Sequence, residues 1–187
     1  MRRLWAAMIC GVSVWWLIPG ATTAAGHNIT SILENKPELS SFSSYLTETN
    51  LTAEINRREG ITVLAVDNAA MEALAGGGNR TLESIKDVLL LHVLVDYIDG
   101  ADNETGRGAV AVPTLCQGTS TNLGSDGFVN VVRAPQAGGG ESVAFLPVNV
   151  VNPTSLEPLP AFVESVEKVP NSISVIQISH FLTLPHK

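Results

Sequence analysis

Hydrophobic positions recur at two different periods along this chain. Between residues 28 and 59 they fall at helical spacing. Ile29, Ile32 and Leu33 form one face, and Leu39, Phe42, Tyr45 and Leu46 form another, with Pro37 placed to open that second helix at its first turn. The run LTAEINRRE makes a third helix, stopped by Gly60. Ile61 to Val66 is then dense in β-branched and aliphatic residues, which predicts a buried strand. Asn68 to Ala75 predicts a short helix ending in GGGN, a run that suits a helix C-terminus. No GK[ST] follows it, so it is not a phosphate-binding loop. Thr81 to Val95 is the most regular helical stretch, with Leu82, Ile85, Val88 and Leu89 on one stripe and His92 continuing it.

After the polar connection YIDGADNETGRG the character changes to β. AVAVPTLC, GFVNVVR and SVAFLPVNVV read as strands, and APQAGGGE between the last two reads as a hairpin loop. Pro147 inside a strand-like run marks an edge or a bulge. LPAFVESVEKV predicts a last short helix. SISVIQIS, apolar on both faces, predicts an internal closing strand. Helices first, strands later and a closing strand give an α+β domain, with no internal repeat and no second domain.

The N-terminus has a different grammar. Arg2 and Arg3 precede an apolar run from Leu4 to Ile18, Pro19 and Gly20 break it, and ATTAAG supplies small residues for cleavage. This is the layout of a secretory signal peptide, assigned here to residues 1–25. The run is about 15 residues, short of the roughly 20 that span a bilayer. The alternative is an uncleaved N-terminal anchor. Residues 26–187 then form the folded domain. Nothing after residue 25 approaches a transmembrane length, so the mature chain reads as soluble. The chain carries a formal charge of −7, and losing two arginines makes it more acidic. With no cluster of Lys and Arg, it is a poor candidate for nucleic acid or anionic membrane. Cys10 leaves with the leader. Cys116, at the end of an apolar run, reads as buried, the alternative being a disulfide between two copies that would make a homo-oligomer.

Secretion gives meaning to four N-glycosylation sequons, at Asn28, Asn50, Asn79 and Asn103. Pro153 excludes NPT at Asn152. Asn28 and Asn50 also precede apolar helical patterns, where Asn is a good N-cap. Candidate chemistry is sparse. The histidines, His27, His92, His180 and His186, form no HxxxH pair, and Cys116 has no cysteine partner for a zinc site. Asp96, Asp99, Asp102 and Glu104 lack the alternate-position oxygens of a calcium loop and read as a solvated connection. There is no GxSxG elbow. Two residues carry rival readings. Asp67, at the end of the predicted strand in TVLAVDNAAM, is either a catalytic acid or a helix cap. His92 is either a base or a core histidine bonded to backbone.

Three motifs in order resemble the fasciclin domain, specifically the first such domain of plant fasciclin-like arabinogalactan proteins. TVLAVDNAAM is similar to the family's first homology motif, usually TVFAPTDAAF. Thr62, Val63, Ala65, Ala69 and Ala70 match it, while Leu64, Val66, Asp67, Asn68 and Met71 depart from it. LLLHVLVDY, ending at Tyr97, is similar to the central Tyr-His region, with His92 as its histidine and Leu91 at the Tyr position. ISVIQIS, including Ile173 and Val175, is similar to the second homology motif. The likeness covers residues 27–182.

It implies a fasciclin-like domain of N-terminal helices packed on a β-wedge or sandwich, with no catalytic residue, no cofactor and no metal. It further implies a secreted or cell-surface glycoprotein of the plant cell wall or plasma membrane surface. Such a protein acts in adhesion or matrix organisation by binding extracellular glycans or cell-surface and matrix proteins. In animal members the Tyr-His region is associated with integrin binding. Plant members usually carry Ala-Pro, Ser-Pro or Thr-Pro clusters and an anchor signal. Here Ala134-Pro135 is the lone Ala-Pro, and HFLTLPHK is not an anchor signal. Two other functions remain open at this stage. One is an extracellular carrier with a pocket between helices and sheet. The other is a hydrolase using His92. The family form places Thr and Asp where Asp67 and Asn68 stand, so one of these two is expected to accept a hydrogen bond from the backbone of residues 69–71.

Overall fold

The structure, a computed structural model, describes residues 27–77, 80–99, 109–118, 127–136, 140–148 and 158–182. Five α-helices come first: α1 (Ile29–Glu34), α2 (Ser40–Glu48), α3 (Leu51–Asn56), α4 (Asn68–Gly76) and α5 (Leu82–Leu91). The predicted strand enters between α3 and α4 as β1 (Ile61–Ala65). Six more strands follow: β2 (Val93–Leu94), β3 (Val110–Pro113), β4 (Phe128–Gln136), β5 (Gly140–Pro147), β6 (Phe162–Val169) and β7 (Ile173–Ile178). Among the described residues, 3-10 turns at Pro37–Leu39 and Leu115–Gly118 lead into α2 and out of β3. The expected α+β class is therefore the observed one.

Local chemistry starts several of these elements. Asn28 caps α1, its Oδ1 accepting from Thr30 N at 3.0 Å, and Thr81 Oγ1 caps α5 by accepting from Ser84 N. Asn50 stands before α3 in the left-handed region, φ 58°, a conformation that Asn tolerates better than most residues, and its side chain makes no cap. Pro170 and Asn171 turn the chain from β6 into β7. Asn171, φ 60°, sits at the third position, where a type II turn needs a positive φ, and Ser172 N closes the turn on Val169 O at 3.0 Å.

The strands form two sheets. One has four strands in the order β2-β1-β7-β6, and the other has three in the order β3-β4-β5. β1 lies antiparallel to β2 and parallel to β7, with Val63 opposite both Val93 and Val175. The sheets touch at both margins. Val95 N donates to Pro113 O and Leu94 bridges Thr114 on one side. On the other, Phe145 N donates to Pro160 O and Ala144 bridges Ala161. The result is a wedge whose outer strands β2, β3, β5 and β6 are partly covered by the opposite sheet, which blunts the exposed edges that would otherwise template aggregation. One contiguous hydrophobic cluster runs from the helices through both sheets, with Phe42, Leu46, Leu64, Met71, Phe145 and Ile176 among its fully buried members.

Four expectations need correction. Residues 159–169 are not a helix: they contain β6. Phe162, Val166 and Val169 stand at helical spacing, yet pairing with β7 overrides it, and two register shifts, between Phe162 and Glu164 and between Ser165 and Glu167, absorb the misfit to a period of two. The helix read over 81–95 ends at Leu91, because Val93 and Leu94 pair with β1. The strand read over 109–116 stops at Pro113 and continues as a 3-10 turn. The hairpin loop is shorter than APQAGGGE, since β4 extends through Gln136 and β5 starts at Gly140. Pro147 closes β5, the margin strand of its own sheet, in keeping with its missing N–H.

One glycine is required by contact rather than by turn geometry. Gly127 O accepts both Thr114 N and Thr114 Oγ1 at 2.9 Å, and this draws the backbone against the following 3-10 turn. A Cβ on Gly127 would lie 2.7 Å from Gln117 Cα. Gly127→Ala is therefore expected to destabilise by about 1–3 kcal/mol, as overpacking does, measured as a fall in thermal midpoint. An unchanged midpoint would show that the two loops part easily.

Candidate functional site

The residues singled out from the sequence gather at the joint between β1 and α4 and at the end of α5. At the joint, Asp67 is the N-cap of α4. Its backbone is extended, φ −70° and ψ 169°, and its Oδ1 accepts from Ala70 N at 2.8 Å. Asn68 does something different. Its Oδ1 accepts from Ser41 N at 2.8 Å and from Ser40 Oγ at 3.3 Å, and its Nδ2 donates to Pro37 O at 3.1 Å. One residue thus starts the helix and the next clamps it to the start of α2. Thr62, fully buried in β1, donates from Oγ1 to Asp96 O and accepts from Ile98 N, each at 2.8 Å. This ties the strand to the segment after β2. Asp96 in turn accepts from Tyr97 N. Val63 and Ala65 form the strand's register with Val175 and Gln177, and Ile173 pairs with Ile61.

His92 caps the C-terminus of α5 and is 1% exposed. Its Nδ1 lies 2.8 Å from Val88 O and its Nε2 lies 3.1 Å from Leu182 N. A carbonyl accepts and an amide donates, so Nδ1 carries the proton and Nε2 is the acceptor. The neutral ring joins the last turn of α5 to the chain that leaves β7, and it packs near Phe42 with ring centroids 6.3 Å apart. Burial pushes its pKa down from 6.5 to about 4, although the bond to Val88 O opposes that shift. Both ring nitrogens are engaged by backbone, so the ring has none left to act as a base, and the hydrolase reading loses its candidate.

The remaining candidates do not converge. Asp99 pairs with Lys168 Nζ at 2.8 Å, while Asp102 and Glu104 lie outside the described residues. Among the described residues no group of three or more His, Cys, Asp and Glu side chains is placed to hold a metal ion. His27 is structural in a way its sequence context did not signal. Its Nε2 donates to Ile55 O at 3.1 Å and its Nδ1 accepts from Ser172 Oγ at 2.8 Å. Asn56 Oδ1 adds a bond from Ile29 N at 2.9 Å. Cys116 is 1% exposed, which agrees with the expectation of burial and places its thiol out of reach of a second copy without local opening. Of the sequon asparagines, Asn28 and Asn50 are exposed, and Asn79 and Asn103 lie outside the described residues. Among the described residues no helix is long and apolar enough to cross a membrane.

Two measurements check this geometry. Asp67→Ala is expected to cost about 1 kcal/mol in a denaturant titration, the usual loss for a cap. Asn68→Ala should cost more than an exposed cap would, because it frees three partners in α2 and the 3-10 turn before it. For His92, the unfolded chain binds a proton near pH 6.5 and the folded chain only near 4. The unfolded state therefore holds more protons between these values. Stability contributed above pH 6.5 is lost as pH falls toward 4, by about 3 kcal/mol in all. His92→Gln should remove that part of the pH slope while lowering stability at neutral pH. A variant with the same slope as the parent would contradict the buried neutral ring.

Comparison with known proteins places this architecture. The fasciclin domain family model matches residues 37–139, more than half of the chain. Fasciclin-like arabinogalactan protein 10 of Arabidopsis thaliana is 37% identical over 172 residues, 90% of this chain and 38% of that protein. Fasciclin-like arabinogalactan protein 2 of the same plant is 39% identical over 160 residues, 85% of this chain and 38% of its own length. The chain thus spans well under half the length of these two relatives. Among solved structures, a FAS1 domain pair from the insect cell adhesion molecule fasciclin I is similar in fold. Its TM-score is 0.59 at 18% identity, covering 82% of this chain and 47% of that one. On the family match and on the ordered motifs that β1, α5 and β7 carry, the chain belongs to the fasciclin domain family.

Proposed function

We propose that the chain is a secreted or cell-surface glycoprotein whose fasciclin domain, residues 26–187, acts in adhesion or cell-wall and matrix organisation. It does so by binding extracellular glycans or cell-surface and matrix proteins, without catalysis. The leader, residues 1–25, delivers it outside the cell. The observation that carries this reading is the engagement of Thr62, Asp67, Asn68 and His92 by backbone or neighbouring helices. The polar side chains of the family motifs build the domain, so recognition falls to its outer surface. Asn28 and Asn50 lie on that surface. The Oδ1 of Asn28 caps α1, while its Nδ2, the atom that carries an N-linked sugar, makes no hydrogen bond among the described residues. A glycan and the cap can therefore share one side chain. The extracellular setting also draws support from the arabinogalactan-protein relatives. A carrier with its ligand between helices and sheet is less favoured, because one hydrophobic cluster fills that space.

The secreted protein provides the test. N-glycan removal should lower its mass in discrete steps, and Asn28→Gln and Asn50→Gln should each remove one step. The glycosylated protein should be retained on wall polysaccharide or on cell surfaces. A mass unchanged by glycan removal, with no surface retention, would refute the proposal.

A further inference from the structure

A surface cleft of about 320 Å³ opens between α3, α5 and the 3-10 turn at Leu115–Gly118, and neither His92 nor a residue of the β1–α4 joint is among its described lining. Its floor is Leu51, Leu90 and Leu115, each at most 7% exposed. Glu54, Arg58 and Lys86 line it above that floor. The charges there are out of balance. Glu54 Oε1 accepts from Arg58 Nε at 2.7 Å, and the other oxygen of the same carboxylate pairs with Arg57. One acid thus serves two guanidinium groups. Lys86 is half-buried and makes neither an ion pair nor a hydrogen bond among the described residues, although Glu83 and Asp87 share its helix. A chain of formal charge −7 carries a local excess of positive charge at this one concavity.

We infer that the cleft binds a small organic anion, a carboxylate on an apolar body. The carboxylate meets Lys86 Nζ and the side of Arg58 that Glu54 leaves open, and the apolar body lies on the three leucines. A half-buried ammonium over an apolar floor is screened less by water and salt than one on open surface, so it attracts an anion more strongly. The volume is at the small end of ligand pockets, which suits a single ring or a short alkyl chain. None of the described lining residues is aromatic, so among them the cleft has no ring face on which a sugar could stack, and its leucine floor favours an amphiphile over an acidic sugar. Asn50 also lines the cleft, so a glycan there would rise beside the mouth. The inference stands apart from adhesion: surface retention can fail while this cleft still binds, and the reverse.

Calorimetric titration of the secreted protein tests it, with octanoate and phenylacetate as anionic probes, 1-octanol as a neutral one and galacturonate as a polar acid. Octanoate or phenylacetate should bind at least tenfold more tightly than 1-octanol and galacturonate. Lys86→Met, which keeps the stem and removes the charge, should weaken that binding at least tenfold with an unchanged thermal midpoint. Lys168→Met, a cation paired with Asp99 elsewhere on the surface, should leave it unchanged. The inference is overturned if neither anion binds at millimolar concentration, if 1-octanol or galacturonate binds equally well, or if Lys86→Met binds as the parent does. Binding that appears only in Asn50→Gln would also overturn it, because the cleft would then belong to the glycan.

Discussion

The parallel pairing of β1 with β7 is the constraint on which the rest of the domain depends. β1 is buried on both faces and bonded on both sides, to β2 and to β7. Every one of its backbone groups must find a partner, because water cannot reach it. β7 supplies that partner from the far end of the chain, and β6 then covers β7. The helices before β1 have no sheet to pack on until this pair exists. Fastenings accumulate around its ends. Gly60 N donates to Ser172 O at 2.8 Å at one end, alongside the His27 contacts. Leu64 N donates to His92 O at 2.8 Å further along.

This explains why the most reactive-looking side chains serve structure. An abrupt turn from a fully buried strand into a helix leaves unpaired amides, and Asp67 meets one of them. A helix that stops so that its next residues can join a sheet leaves a carbonyl, and His92 meets Val88 O. The ring's other nitrogen has only the Leu182 amide, so the imidazole stays neutral. The polar atoms given to these tasks are already engaged inside the domain. Lys86, by contrast, has no ion pair or hydrogen bond among the described residues and stands half-buried at the wall of the cleft.

Much of this was legible in the sequence, and the exceptions have a physical pattern. The buried strand at 61–66, the internal strand at 172–179, the Asp67 cap and the core role of His92 all follow from residues within a few positions of each other. What was missed depends on distant partners. Phe162, Val166 and Val169 fit a helical stripe, and only β7 beside them makes the segment a bulged strand. Val93 and Leu94 continue the helical pattern of α5, and only β1 draws them away. Asn68 looked like a second cap because its three partners lie in α2 and the 3-10 turn before it, nearly thirty residues earlier in the chain. His27 gave no local sign of binding both α3 and the turn before β7. The cleft was invisible for the same reason: Leu51, Lys86 and Leu115 come from three separate elements.

The order of synthesis gives the β1–β7 pair a further meaning. β7 leaves the ribosome roughly 110 residues after β1, an interval of about 5–20 seconds at ordinary rates of elongation. Throughout that time the sheet has no centre, and α1 to α3 are short helices without a surface to pack on, marginal by themselves. The segment bearing Asn28 and Asn50 is therefore presented as open chain just when an enzyme that modifies unfolded polypeptide could reach it. The sheet on which α1 and α3 pack is complete only once β7 has been made. A topology that slows folding thus also sets a period of access for the parts of the chain made first.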